Sequence, residues 1–267
     1  RSPIPTGIAK IDAKDILNGG LGKGEIGVIT APTGVGKSHM LVNLGCSALK
    51  AGFNVIHYTF ELTETGTGLR YDSNLCQIPS NEVQDRKDEV IEFYKEQGEQ
   101  LGKLMIKEYP TGTATVQTLR SHIEKLSLKG FIPQVLIIDY ADIMRSSRQY
   151  DSMRHELKKV YEDLRNLAME KSMPIWTASQ SNRDSANSDI VGLENMSESY
   201  GKAQVADVVI SISRKPAEKS EGFGRLYIAK NRAGRDGIVF PIKLNTAMSR
   251  FSILENSEEM SFMDAKK

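Results

Sequence analysis

The run Ile26-Gly27-Val28-Ile29-Thr30, followed by Ala31-Pro32-Thr33-Gly34-Val35-Gly36-Lys37-Ser38, decides how this chain folds. An apolar stretch, a glycine-rich turn and a periodic segment from His39 to Lys50 read as strand, loop and helix. The turn fits the phosphate-cradling pattern G-x-x-x-x-G-K-[ST] except at its first position, where Ala31 replaces Gly. Gly34 and Gly36 let the backbone curl so that successive N–H groups face an anion, and the following helix adds the positive end of its dipole. Lys37 supplies a mobile cation for the β- and γ-phosphates, and the Ser38 hydroxyl is placed to ligate Mg²⁺. The candidate nucleotide-binding set is Ala31, Thr33, Gly34, Val35, Gly36, Lys37, Ser38 and His39, with ATP and Mg²⁺ as the expected ligands. Ala31 shapes the turn and brings no side-chain chemistry.

Outward from this loop, β and α signals alternate. Val55–Phe60, Leu104–Ile106, Val135–Asp139 and 174–178 read as strands. Helical patterns fall at Thr63–Leu75, Asn81–Leu101, Val116–Leu128 and Met153–Lys171. From Val208 onward the chain breaks into short β segments (Val208–Ser213, Arg225–Ala229, Ile238–Leu244, Arg250–Leu254) separated by glycine turns. Alternation predicts an α/β fold with a mostly parallel central sheet flanked by helices, and the terminal β run predicts an antiparallel extension at its C-terminal edge. Residues 1–12, rich in Pro and small residues, read as an N-terminal linker; 13–255 read as one ATPase domain; 256–267 read as a polar, disordered tail.

Chemistry-bearing residues recur at strand ends. Asp139 closes a buried apolar run, where open α/β sheets place their ligands, and reads as the second Mg²⁺ anchor. The next residue is Tyr140, so a catalytic Glu directly after the Asp is excluded. Glu61, just after Val55–Phe60, is the candidate to polarise an attacking water; a solvated carboxylate in a helix's first turn is the equal alternative. Gln180, after the strand at 174–178, could hydrogen-bond a γ-phosphate and sense its loss; taken alone, a polar residue after a strand is more often a loop residue. Lys230 and Arg232 alternate on an extended segment, so both can reach one target, either solvent or the phosphate of a neighbouring subunit. Two polar stretches, Arg145–Tyr150 and Asn182–Lys202, leave strand ends on the nucleotide side and are candidates to hold a polymer.

Bulk composition narrows the class. A net charge of +1 exerts no global pull toward nucleic acid, yet nine Lys/Arg stand against three Asp/Glu between Ser213 and Arg250. No apolar run approaches the ~20 residues of a membrane span. Cys46 and Cys76 are too few for a disulfide framework, which predicts a reducing, cytoplasmic setting. His39, His57, His122 and His155 lack zinc-type spacing.

An ordered set of motifs adds a family. Pro5-Thr6-Gly7, Phe60-Glu61-Leu62, Ile138-Asp139-Tyr140, Ala178-Ser179-Gln180-Ser181-Asn182-Arg183 and Ala229-Lys230-Asn231-Arg232 follow one another in sequence. Together they resemble the RecA-like ATPase domain of DnaB-type replicative helicases. The wording at Tyr109-Pro110-Thr111-Gly112 and Asn195-Met196-Ser197-Glu198-Ser199 is similar to T4-like phage versions. That resemblance implies a ring-shaped homo-hexamer that binds ATP between subunits, threads single-stranded DNA and unwinds duplex, in a bacterial or phage-infected cell. By the same resemblance Glu61 is the catalytic carboxylate, Gln180 the γ-phosphate sensor, Arg232 the arginine finger and Lys230 its companion. DNA contacts are expected from Arg148, Arg183, Ser199, Gly201 and Lys202, although Ser197 stands where bacterial members carry an Arg. The helical N-terminal domain through which such helicases recruit primase or a loader is not found in this chain. A RecA/KaiC-like oligomeric switch without unwinding activity is the alternative.

Overall fold

Ile26–Ala31 forms β1, and every one of its six residues is buried. Gly27 is required there: a Cβ would lie 2.2 Å from the Trp176 ring on the adjacent strand. The computed structural model describes residues 2–148, 150–182, 185, 188–196 and 200–255. Eight further strands follow: β2 (Val55–Thr59), β3 (Leu104–Glu108), β4 (Val135–Asp139), β5 (Ile175–Gln180), β6 (Val208–Ser213), β7 (Phe223–Asn231), β8 (Val239–Asn245) and β9 (Arg250–Ile253). They make one sheet in the order β3-β2-β4-β5-β1-β6-β7-β8-β9. The first six are parallel and the last three antiparallel, as the sequence predicts.

Helices α1 (Lys37–Lys50), α2 (Glu64–Cys76), α3 (Lys87–Gln97), α4 (Val116–Leu128), α5 (Met153–Glu170), α6 (Tyr200–Val205) and α7 (Pro216–Glu221) complete the chain. Strand alternation divides the core in two. Ile29, Val135 and Ile137 pack with Leu41 and Leu44 of α1 and Tyr71 of α2. Ile26, Val28, Leu136 and Ile138 pack with Leu119 of α4 and Val160 and Leu164 of α5. Both faces of the parallel sheet are thus covered, which explains its near-continuous apolar strands. Among the described residues no helix is long and apolar enough to cross a membrane.

Three expectations need correction. Residues 2–12 are no free linker: Ile4, Ile8 and Ile11 are buried in the core, and Ile4 exchanges backbone hydrogen bonds of 2.8 and 3.0 Å with Leu21. Their isoleucines join the core cluster built by β1 and α1 further along the chain. The helix expected over Asn81–Leu101 forms only at Lys87–Gln97, with turns before it that seat Val83 beside Ile78 and Val90. Strand β7 runs past Ala229 to include Lys230, with a bulge where Val209 and Ile210 face Lys230 and Ile228. The expected tail at 256–267 lies outside the described residues.

Candidate active site

Register assembles the site. Ala31 at the end of β1 pairs with Gln180 at the end of β5, and Thr59 at the end of β2 pairs with Asp139 at the end of β4. Four strand termini therefore deliver the phosphate loop, Glu61, Asp139 and Gln180 to one edge of the sheet. The loop turns through Gly34 (φ 70°) and Gly36 (φ 128°), and the N-cap of α1 is Gly36 with no side-chain cap. The first N–H groups of α1 are left for an anion. A side chain at Gly36 would also strike Leu244, at 2.8 Å.

A cavity of about 270 Å³ opens over this edge, lined by Thr33, Gly34, Gly36, Lys37, Ser38, His39, Glu61, Leu62, Arg70, Tyr140, Gln180, Arg214 and Thr246. The Lys37 ammonium donates to the carbonyls of Ala31 (3.1 Å) and Pro32 (3.2 Å), folded back on its own loop. Burial lowers its pKa, while Glu61, Asp139 and Asp142 oppose that shift. The Gln180 amide donates to the Thr33 hydroxyl at 2.7 Å, joining the sensor strand to the phosphate loop. Ala31 is buried at the end of β1, and Val35 is buried beneath the loop. His39 is hydrogen-bonded to Ser249 at 2.8 Å, which pins the first turn of α1 to the β8–β9 turn. Burial, helped by Arg70 and Arg214, holds the His39 pKa down at about 4.

Asp139 is almost wholly buried, and its Oδ1 has no hydrogen-bond partner among the described residues. Ser38 stands beside this carboxylate and favours its charged form. Burial pushes the Asp139 pKa up to about 6; the Glu61 charge adds to the rise, and Ser38, Arg70 and Lys37 oppose it. An orphaned carboxylate oxygen beside a hydroxyl, at the mouth of a phosphate loop, is a hard-oxygen set that fits Mg²⁺ shared with phosphate oxygens. Glu61 is exposed and lines the cavity beside Tyr140. Burial, reinforced by Glu61 and Asp142, raises the Tyr140 pKa to about 12, so Tyr140 stays a donor.

Lys230 and Arg232 do not join this site. Lys230 lies opposite Val209, and Asn231 opposite Val208, which itself pairs with Gly27. They sit at the N-terminal end of β1, about 13 Å of strand from the phosphate loop at ~3.3 Å per residue. The two side chains do converge on one target, but it belongs to their own chain. Lys230 donates to the carbonyls of Ala203 (2.6 Å), Gln204 (3.2 Å) and Ala206 (2.7 Å). Arg232 donates to the Gln204 carbonyl (2.6 Å) and to Asp207 (3.2 Å).

Of the expected DNA contacts, Arg148 is exposed beside a cavity of about 330 Å³ that it shares with Thr113, Thr115, Arg145, Ser146, Ser147 and Glu156. Gly201 lies in α6, half-buried. Arg183 and Ser199, with Ser197, fall outside the described residues. Lys202 is a correction: it is fully buried, with its ammonium 2.9 Å from Asp142 and 3.1 Å from Ser179, and cannot meet a polymer from there. Sequence reading missed Arg70, Arg214 and Thr246 because no short motif marks them. Asp142, three residues after Asp139, carried the one readable signal, a second carboxylate just past the strand end.

A parallel sheet with a phosphate loop after β1, a buried acid ending β4 and a glutamine ending β5 defines a RecA-like P-loop nucleoside triphosphatase fold. Residues 3–253 match the DnaB-like helicase C terminal domain, and the chain belongs to that family. The DnaB-like replicative helicase of Enterobacteria phage T4 is 32% identical over 207 residues, covering 74% of this chain and 43% of that protein. The replicative DNA helicase DnaB of Helicobacter pylori is 25% identical over 215 residues, covering 79% of this chain and 43% of that protein. This chain thus spans less than half the length of these relatives. A solved DnaB-like replicative helicase, described with its primase interactions, superposes with a TM-score of 0.81 at 17% identity over 95% of this chain and 64% of that one.

Proposed function

We propose that this chain is the motor portion of a ring-shaped replicative DNA helicase, hydrolysing ATP at subunit interfaces to move along single-stranded DNA and unwind duplex. The observation that carries this reading is a divided site. The phosphate loop, Glu61, Asp139 and Gln180 share one sheet edge, while the Lys230/Arg232 pair sits at the opposite edge, out of its own loop's reach.

In this reading α1's N–H groups and Lys37 bind the triphosphate. Ser38 and Asp139 hold Mg²⁺, which would neutralise phosphate charge. Glu61, which lines the cavity beside Tyr140, polarises the attacking water. Gln180 leaves Thr33 to meet the γ-phosphate, and Arg232 with Lys230 serves the next subunit's phosphates. Arg148 and its neighbours contact the DNA backbone through charge, without reading sequence. A homo-hexamer and recruitment of a primase or helicase loader belong to the same proposal, supported by the relative solved with its primase interactions. A cytoplasmic setting, in a bacterial or phage-infected cell, fits it.

The test is ATP turnover with and without single-stranded DNA, paired with strand displacement on a forked duplex. Turnover that rises with DNA, and unwinding that requires ATP, are expected. Turnover indifferent to DNA in an assembled oligomer refutes the motor reading.

A further inference from the structure

Lys202 is 0% exposed, yet it carries a charge into the core. Its ammonium contacts Asp142 Oδ2 at 2.9 Å and Ser179 Oγ at 3.1 Å. The same Asp142 oxygen accepts the Ser179 hydroxyl (3.0 Å) and the Gln180 backbone N–H (3.2 Å). The other oxygen accepts the Tyr161 hydroxyl at 2.8 Å. A buried ion pair is seldom more stable than a well-packed apolar pair of similar size, so stability alone does not account for this one.

What the pair joins is more telling. Asp142 stands on the 3₁₀ turn Ala141–Ile143 just past Asp139, and it holds the end of β5 that carries Gln180. Gln180 is bonded to Thr33 in the phosphate loop. Lys202 stands on α6, whose C-terminal carbonyls at Ala203 and Gln204 hold Lys230 and Arg232. The Lys202 side chain thus reaches the nucleotide edge of the sheet, while the carbonyls of the next two residues of this short helix hold the cation pair. Hydrogen bonds link Thr33 to Gln180, Gln180 to Asp142, Asp142 to Lys202, and α6 to Arg232 without a break.

We propose that Asp142 and Lys202 are positioning residues that couple the state of a subunit's own phosphate loop to the placement of the Lys230/Arg232 pair it lends to the next subunit. When Gln180 shifts from Thr33 to a γ-phosphate, the end of β5 moves against Asp142. Lys202 passes that movement to α6, and the carbonyls that hold Arg232 move with the helix. One ion pair then makes successive sites around the ring respond to one another, on the assignment of Arg232 to a neighbour's site.

The test compares Lys202→Met, Asp142→Asn and the Asp142→Asn/Lys202→Met double variant. Lys202→Met strands a buried carboxylate and lowers Tm; the double variant, neutral at both positions, regains Tm close to wild type. In the double variant the affinity for a non-hydrolysable ATP analogue is unchanged, while kcat falls about tenfold. Adding the double change to Arg232→Ala costs nothing beyond Arg232→Ala alone, because the clamp acts through that residue. A double variant with wild-type Tm and wild-type kcat overturns the inference, as do losses that add fully to those of Arg232→Ala. Wild-type turnover in Arg232→Ala itself would instead overturn the interfacial assignment, and the coupling with it.

Discussion

Replacing Arg232 by Ala separates a catalytic role from a structural one by magnitude. In the resting chain the Arg232 side chain is 45% exposed, and its charge partner is Asp207 at 3.2 Å. An ion pair with that much solvent contact contributes at most about 1 kcal/mol to folding, so Arg232→Ala leaves the thermal transition nearly in place. An arginine supplied to a neighbour's γ-phosphate is worth about 10³–10⁵ in rate. That is roughly 4–7 kcal/mol of barrier at 1.36 kcal/mol per tenfold. Stability and turnover are thus expected to differ by at least 3 kcal/mol in their response. Steady-state phosphate release, read beside analogue affinity and a melting curve, measures all three quantities. Mixing then assigns the direction of action. Arg232→Ala chains keep an intact phosphate loop, and Lys37→Ala chains keep an intact Arg232. In a randomly mixed ring of equal parts, about one interface in four joins a good loop to a good arginine. The mixture regains up to about a quarter of wild-type turnover, although neither parent has any. A mixture as inactive as its parents, in oligomers shown to have exchanged subunits, refutes action in trans.

Glu61→Gln removes the proposed base without changing side-chain size. A fall of about 10²–10⁴ in kcat is expected, with nucleotide affinity little changed. An equal loss of binding in a titration would show that Glu61 positions the ligand instead. A pH dependence of stability follows from His57, whose ring is buried, bonded to Tyr71 at 2.9 Å, and held by burial at a pKa of about 3. The unfolded chain binds this proton near pH 6.5 and the folded chain does not, so stability is complete above pH 6.5 and declines as pH falls toward 3. At 1.36 kcal/mol per unit the loss reaches roughly 2 kcal/mol by pH 5. His57→Gln keeps a partner for Tyr71 but cannot titrate, so denaturant midpoints for that variant change less between pH 7 and 5. Parallel slopes for the two proteins would remove His57 from the account.

What the sequence displayed was chemistry carried by local pattern. The run 26–38 states its own strand, turn and helix, and Asp139 and Gln180 announce themselves by closing apolar strands. Register then did the rest, since parallel pairing of Ala31 with Gln180 and Thr59 with Asp139 brings strand ends to one edge. The misreadings share a cause, which is that partners distant in sequence decide whether a residue is exposed. Lys202 sits in a polar stretch and reads as a surface cation, but the carboxylate that buries it lies sixty positions earlier. Residues 2–12 read as a linker by their prolines, while the strand and helix that cover Ile4, Ile8 and Ile11 lie downstream. Arg70 and Arg214 enter the cavity from α2 and from the end of β6 with nothing around them to mark the approach.

The divided site also constrains how copies of this chain can meet. The phosphate loop lies at the C-terminal end of β1, and the Lys230/Arg232 pair lies beside its N-terminal end. A two-fold dimer completes its sites only where a single self-complementary patch holds both loop and pair, and here the two lie at opposite ends of β1. Completing every site requires a heterologous contact, one subunit's cation face against the next subunit's loop face. Such contacts continue head to tail until the rotation between neighbours closes them into a ring or winds them into a filament. Under the motor reading, the position of two residues on β7 and just after it thus favours a head-to-tail assembly. Each interface of that assembly draws its binding half from one subunit and its charge-stabilising half from the other.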